Sequence, residues 1–275
     1  MNWRFRNTVC GLGVGLVVLA LSAPAAHAAK CGNNAAGFSR WVAETKKEAA
    51  ARGFNQRTIN ATLGNVSYRK KTIRMDRSQR SFKLSLDQFM RKRGASTIVR
   101  QGKQLKKKHQ KLLNSLERRY GVPPGVILAI WGMETGFGRF MGAEDTISAL
   151  ATLAYDCRRS AFFTNELYAA MTIIQQGQLS RKQMRGAGHG ELGHTQFLPS
   201  SYIRFAVDGD GNGRRDLVGS RTDALASTAN YLRSYGWKRG RGYQPGQTNF
   251  RAIQAWNAAS VYQQAIAIIA LQIDS

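Results

Sequence analysis

The chain has 275 residues, enough for one large domain or two modest ones. It carries 41 Lys and Arg against 16 Asp and Glu, a formal net charge of +25. Such a charge argues against a cationic partner and asks for an acidic one: nucleic acid, an anionic membrane or an anionic polymer.

The first 28 residues narrow that choice. Arg4 and Arg6 form a basic start, Cys10 to Leu21 is an apolar run short for a bilayer span, and Ala26-His27-Ala28 is a small-x-small cleavage pattern. Residues 1–28 read as a signal peptide, so the mature protein is expected in the periplasm without a membrane anchor. Export demotes nucleic acid and promotes the cell envelope. Two cysteines remain, Cys31 and Cys157. In an oxidising compartment this even pair is a disulfide candidate that would pin the mature N-terminus to the core, the other reading being two buried thiols.

Phe38 to Arg52 has helical spacing, with Phe38, Trp41, Val42 and Thr45 on one face and Gly53 as the stop. Gln56 to Leu63 is a shorter helix. Ser81 to Arg93 is another, with Phe82, Leu86 and Phe89 on one side. Thr97 to Arg119 reads as one long basic helix whose stripe is Ile98, Leu105, Leu112 and Leu116. Lys103, Lys106, Lys107, Lys108 and Lys111 line the rest, a solvated face or a weak hold on an anionic polymer.

Tyr120 to Gly142 is the most informative stretch. Pro123 and Pro124 suit a helix start, Val126 to Met133 is apolar nearly all round, and Thr135-Gly136-Phe137-Gly138 breaks the helix just after Glu134. A carboxylate there lies at the negative end of the helix dipole, beside Trp131 and Met133. Both effects oppose ionisation and prepare a general acid, the other reading being a surface glutamate at a helix end. Asp145 to Tyr155 and Ala161 to Gln176 read as helices, and Arg185 to Gly193 as a glycine-rich loop. Pro199 to Val207, Asp223 to Tyr235 (capped by Thr222, stopped by Gly236) and Gln254 to Ile273 complete a mainly α chain with no strand-period run.

Three motifs need weighing. Gly188 to Gly193 has the spacing GxGxxG, but the polar segment Arg181 to Arg185 precedes it where a dinucleotide site needs a strand. His189 and His194 are five apart with glycines between, so they would not share a helix face as zinc ligands. The glycines are better used for close backbone approach to a bulky ligand. Asp208, Asp210, Asn212, Arg214 (by its backbone) and Asp216 fit positions one, three, five, seven and nine of an EF-hand loop, with Gly213 at the turn. Position twelve is Gly219, so Asp223 would have to close a longer loop. A calcium site and a metal-free acidic turn both satisfy this pattern. Gln196, Trp256, Asn257 and Tyr262 supply the amides and aromatics a sugar chain needs.

Taken together, YGVPPGVILAIWGMETGFG, ALATLAYDCRRSAFF, GHTQFLPSSYIRFAVDGDGNGRRD and DALASTANYLRSYGW resemble the lytic murein transglycosylases of the B type. The resemblance runs from about Phe38 to the C-terminus. It implies a lysozyme-like core over 119–275, with an EF-hand-like loop at 208–223, preceded by a helical region over 29–118. It also implies cleavage of the bond between N-acetylmuramic acid and N-acetylglucosamine in peptidoglycan, leaving a 1,6-anhydro end and needing no cofactor. By position Glu134 is the catalytic residue, while Gln196, Tyr231, Trp256, Asn257 and Tyr262 bind substrate. The family's calcium-capable loop falls on Asp208 to Asp223. Ala187 and Gly188 stand where many members have serine and an aromatic, and Glu191 and His194 also depart from the commoner residues. Two rival functions remain at this level: a hydrolytic muramidase and a non-catalytic peptidoglycan-binding envelope protein. A scaffold docking through the lysine-rich helix is a third.

Overall fold

The computed structural model describes residues 29–78 and 84–275. The segment read as a signal peptide, and Ser81 and Phe82, lie outside these. Thirteen α-helices account for most of the described chain, so the mainly α expectation holds. The one pair of strands, β1 (Glu144–Asp145) and β2 (Arg185–Gly186), is two residues long and antiparallel.

Helices α1 (Phe38–Ala51) and α2 (Gln56–Leu63) follow the sequence reading, and Phe38, Trp41, Val42 and Thr45 are all buried. Helix α3 (Lys70–Arg77) was not expected, because its five charged residues mask a stripe of only Thr72, Ile73 and Asp76. Helix α4 is shorter than expected, Leu86–Arg93. Ser85 ends it with a capping box, accepting from the Gln88 N–H while Gln88 accepts from Ser85.

The long basic helix is two helices, α5 (Ala95–Lys108) and α6 (Gln110–Tyr120), broken at His109. The break turns the apolar stripe, so Leu113 is fully buried where Leu112 was expected. Lys106 pairs with Asp274 at 2.8 Å; Lys103, Lys107, Lys108 and Lys111 are exposed.

Helix α7 (Pro124–Thr135) is the centre of the fold, and its residues from Pro124 to Met133 are buried. It packs against α5 and the C-terminal helix α13 (Ser260–Asp274). Its apolar circumference is explained by this packing, which leaves it no solvent face. Asp274 accepts a hydrogen bond from the Gly125 N–H at 3.0 Å, placing a carboxylate at the positive end of the helix.

The remaining helices are α8 (Thr146–Tyr155), α9 (Ser160–Gln175), α10 (Pro199–Phe205), α11 (Arg221–Ser234) and α12 (Phe250–Trp256). The closing stretch, readable from sequence as one or two helices, is two, parted at 257–259. Helix α11 starts two residues early, and Ser220 rather than Thr222 caps it. Cys31 and Cys157 are joined as a disulfide, which lies beside a buried aromatic cluster of Phe38, Trp41 and Tyr155. Among the described residues no helix is long and apolar enough to cross a membrane.

Candidate active site

Glu134 stands in the last turn of α7, and Gly136, at φ 56, ends that helix in the left-handed conformation. The turn is tied down by Thr135. Its hydroxyl donates to the His194 carbonyl at 2.6 Å and accepts from the Gly138 N–H at 2.9 Å. The Trp131 indole N–H reaches His194 Nδ1 at 3.3 Å. The loop carrying Gln196 is therefore bolted to the helix carrying Glu134, although 62 positions separate the two in sequence.

That loop is held from within by paired backbone bonds between Leu192 and Phe197, of 2.8 and 3.0 Å. At Gly190 and Gly193 the protein's own packing requires the glycine. A Cβ on Gly190 would meet Leu150 at 2.2 Å, and one on Gly193 would meet the Leu217 carbonyl at 2.1 Å. Gln196 has φ 52, unusual for a residue with a Cβ. Its amide nitrogen donates to the carbonyls of Gly193 at 2.8 Å and Met141 at 3.2 Å, so the amide oxygen is the atom left for a ligand.

The Glu134 side chain opens onto two cavities. One, of about 650 Å³, is lined by Gln196, Tyr231, Trp256, Asn257, Glu191 and Arg93 among others. The second, of about 440 Å³, continues past Glu134 between Lys92, Thr97, Gln101, Arg139 and Phe140. A carboxyl at the junction of two cavities is where a bond in the middle of a chain-like ligand would lie. A larger cavity of about 760 Å³, beside Trp237 and Tyr243, contains none of the expected site residues; volume alone does not mark the chemistry.

Burial pushes the Glu134 pKa up from 4.5 to about 7. Three groups act against that rise. The Trp256 indole N–H donates to Glu134 Oε1 at 2.9 Å. The Tyr262 hydroxyl lies close enough to help but outside ordinary hydrogen-bond geometry, so it is buried without a partner. Arg93 adds a more distant positive charge, and the negative charge of Glu191 acts the other way. Near neutrality Glu134 is poised to hold or release a proton.

The expected sugar-binding residues divide into two sets. Gln196 and Asn257 face the cleft with spare hydrogen-bonding capacity: Asn257 Oδ1 accepts from the Ala259 N–H at 2.9 Å, leaving its NH₂. Trp256 also lines the cavity while its indole N–H is given to Glu134, and Tyr262 is not among the lining residues. Tyr262 is buried behind the acid, its ring 5.8 Å from Phe89. Tyr231 lines the cleft, but its hydroxyl donates to the Ala255 carbonyl at 2.6 Å and its ring meets Trp256 at 4.9 Å. It fixes the segment that positions the indole. Arg93 and Arg159 also line the cleft and were missed, because single arginines in a chain with 41 basic residues carry no pattern.

Away from the cleft, Asp208, Asp210 and Asp223 each bring a carboxylate oxygen within 4.8 Å of the others. Asp208 accepts the N–H groups of Gly211, Asn212 and Gly213, which hold its pKa below the usual carboxylate range. Asp223 is fully buried, and desolvation raises its pKa. Asp216 is not in this group: its carboxylate caps the turn at Val218 and Gly219 and accepts from Gln183. Asn212 Oδ1 accepts from the Arg214 N–H at 2.8 Å. In donor chemistry three converging carboxylates fit a hard cation.

The Transglycosylase SLT domain model matches residues 37–246. The membrane-bound lytic murein transglycosylase B of Escherichia coli strain K12 is 37% identical over 149 residues, 51% of this chain and 41% of that protein. The match thus spans less than half of that relative's length. The solved structure of SltB3 from Pseudomonas aeruginosa in complex with NAG-NAM-pentapeptide aligns at a TM-score of 0.81 and 30% identity, over 86% of this chain and 80% of that one. The Escherichia coli lytic transglycosylase SLT35 in complex with calcium shares the fold at a TM-score of 0.69 and 24% identity, over 90% and 96%. With the family pattern running through α1 to α11, the chain belongs to the transglycosylase SLT domain family.

Proposed function

We propose that this protein is a lytic transglycosylase that cuts the bond between N-acetylmuramic acid and N-acetylglucosamine in peptidoglycan, in the periplasm, leaving 1,6-anhydromuramic ends. The observation that carries the reading is Glu134: one acid with a pKa of about 7 at the junction of two cavities. The relatives and the +25 charge agree with an anionic glycan-peptide substrate.

The chemistry runs through one carboxyl used twice. Protonated Glu134 gives its proton to the glycosidic oxygen as the C1–O bond breaks, and the acetamido oxygen of the same sugar bonds to C1. The resulting carboxylate then takes the proton of the C6 hydroxyl, whose oxygen attacks C1 and expels the acetamido oxygen. Trp256 steadies the carboxylate between the steps, and Gln196 and Asn257 position sugar hydroxyls. No water enters, so the product is an internal ether. Mass spectrometry of digested peptidoglycan tests this: anhydro ends should dominate, while reducing muramic ends alone would make the protein a hydrolytic muramidase. A protein that binds the wall without releasing any muropeptide would be the non-catalytic alternative.

The acidic loop is proposed to hold a structural calcium through Asp208, Asp210 and Asp223, remote from the chemistry. Calcium at ten times its dissociation constant stabilises the native state by about 1.4 kcal/mol, which is a rise of roughly 3–5 °C in Tm for a chain of this size. The rise should vanish in Asp223→Asn. A melting curve unmoved by about 10 mM calcium, ten times the weak end of such sites at about 1 mM, would leave a self-capped acidic turn.

A further inference from the structure

Glu191 is the cleft residue that the single-acid scheme does not use. It lines the same cavity as Glu134, Gln196 and Asn257. Its backbone is immobilised: its carbonyl accepts the Ala187 N–H at 3.3 Å, and its neighbour Leu192 is fully buried and paired with Phe197. One carboxyl oxygen, Oε1, lies 3.8 Å from His189 Nδ1. The other, Oε2, is buried and accepts no hydrogen bond. The two arginines of the cleft do not quench it, and Arg159 is spent on Asp76. A desolvated carboxylate oxygen without a donor destabilises a fold unless a ligand supplies one.

Resting on the transglycosylase reading above, we propose that the Glu191 carboxylate, which keeps 27% of its side chain exposed at the cavity and turns freely about its terminal torsion, accepts a hydrogen bond from the acetamido N–H of the sugar whose C1–O bond is cut. When the acetamido oxygen bonds to C1, the departing electron pair goes to the glycosidic oxygen with the proton of Glu134, and positive charge spreads over the acetamido carbon and nitrogen. A fixed carboxylate on that N–H stabilises the charge more in the transition state than in the bound substrate. The hydrogen bond also turns the carbonyl oxygen toward C1. When the C6 oxygen displaces it, the charge is lost and the N–H returns to neutrality, so Glu191 neither gains nor loses a proton.

The test compares wild type, Glu191→Ala and Glu191→Gln on soluble peptidoglycan strands, with product ends assigned by mass spectrometry and melting curves recorded for each. In Glu191→Ala, kcat for anhydro-product formation should fall about 10²-fold while KM moves less than about threefold. Glu191→Gln keeps an acceptor oxygen of the same shape and should recover part of that loss. In both variants the alkaline limb of kcat/KM should move to lower pH. The groups facing Glu134 are Trp256, Tyr262, Arg93 and Glu191, and only the last, a like charge, has been removed. His189, beside Glu191, stays in both. Unchanged kcat in Glu191→Ala overturns the proposal, as does a change confined to KM. So does the loss of a reducing-end product alone, which would make Glu191 a base for water. If wild type yields no anhydro ends, the failure belongs to the function and not to Glu191.

Discussion

Glu134→Gln is expected to remove about 10³-fold or more of the anhydro-forming activity, because one group supplies both proton transfers and each is worth about 10²–10⁴. The same variant should be more stable than wild type, by a margin that opens above pH 4.5 and is complete above about pH 7. Below pH 4.5 the carboxyl is neutral in folded and unfolded chains and costs nothing. Between 4.5 and about 7 the unfolded chain releases the proton while the buried native group keeps it, so stability falls as pH rises through that window. Above it the native state carries a penalty of about 3 kcal/mol, from roughly 1.4 kcal/mol for each pH unit separating the two pKa values. A glutamine of the same shape accepts the Trp256 hydrogen bond and never ionises. Denaturant titrations at pH 4 and pH 9 should therefore give a gain of about 3 kcal/mol at the higher pH and none at the lower. Activity within tenfold of wild type, or a gain independent of pH, would remove Glu134 from the acid's role.

Breaking the disulfide is expected to have the largest effect on stability. Cys31 and Cys157 close a loop with a sequence separation of 126. By loop-closure entropy the bond is worth up to about 5 kcal/mol, and comparable bridges commonly measure about 2–4. Cys157→Ser should lower Tm by roughly 10 °C, and dithiothreitol should do the same to wild type and nothing further to the variant. The consequence reaches the cleft. Arg158 and Arg159, which follow the cysteine, both pair with the buried Asp76, and Arg159 also lines the cavity. A variant as stable as wild type under oxidising conditions would mean that the bridge contributes nothing to the native state.

Glu134 shows how far local pattern carries. An apolar run between a proline pair and a glycine break reads as a helix packed on every side, and a carboxylate at its end as one hard to ionise. These are effects of neighbours within a few positions, and they were legible in the chain. So were the family motifs, the mainly α class and the pairing of Cys31 with Cys157. The break at His109 was less legible, because lysines on both sides conceal the shift of stripe from Leu112 to Leu113. Helix α3 was invisible for a similar reason: its buried side includes Asp76, whose burial depends on two arginines more than 80 positions away.

Site roles were the least legible part. From its sequence the chain determined which residues are chemically able to serve: Glu134 as acid, amides and aromatics for a sugar, three acids for a cation. Only the tertiary structure decided which of them do what. It gave the Trp256 indole N–H to Glu134, buried Tyr262 behind that acid, tied the Tyr231 hydroxyl to the Ala255 carbonyl, kept Asp216 apart from Asp208, Asp210 and Asp223, and left Glu191 Oε2 buried without a donor. The physical reason is that a side chain's role is set by what it hydrogen-bonds and what excludes water from it. Those partners lie 122 positions away for Glu134 and Trp256, where no periodicity or spacing connects them.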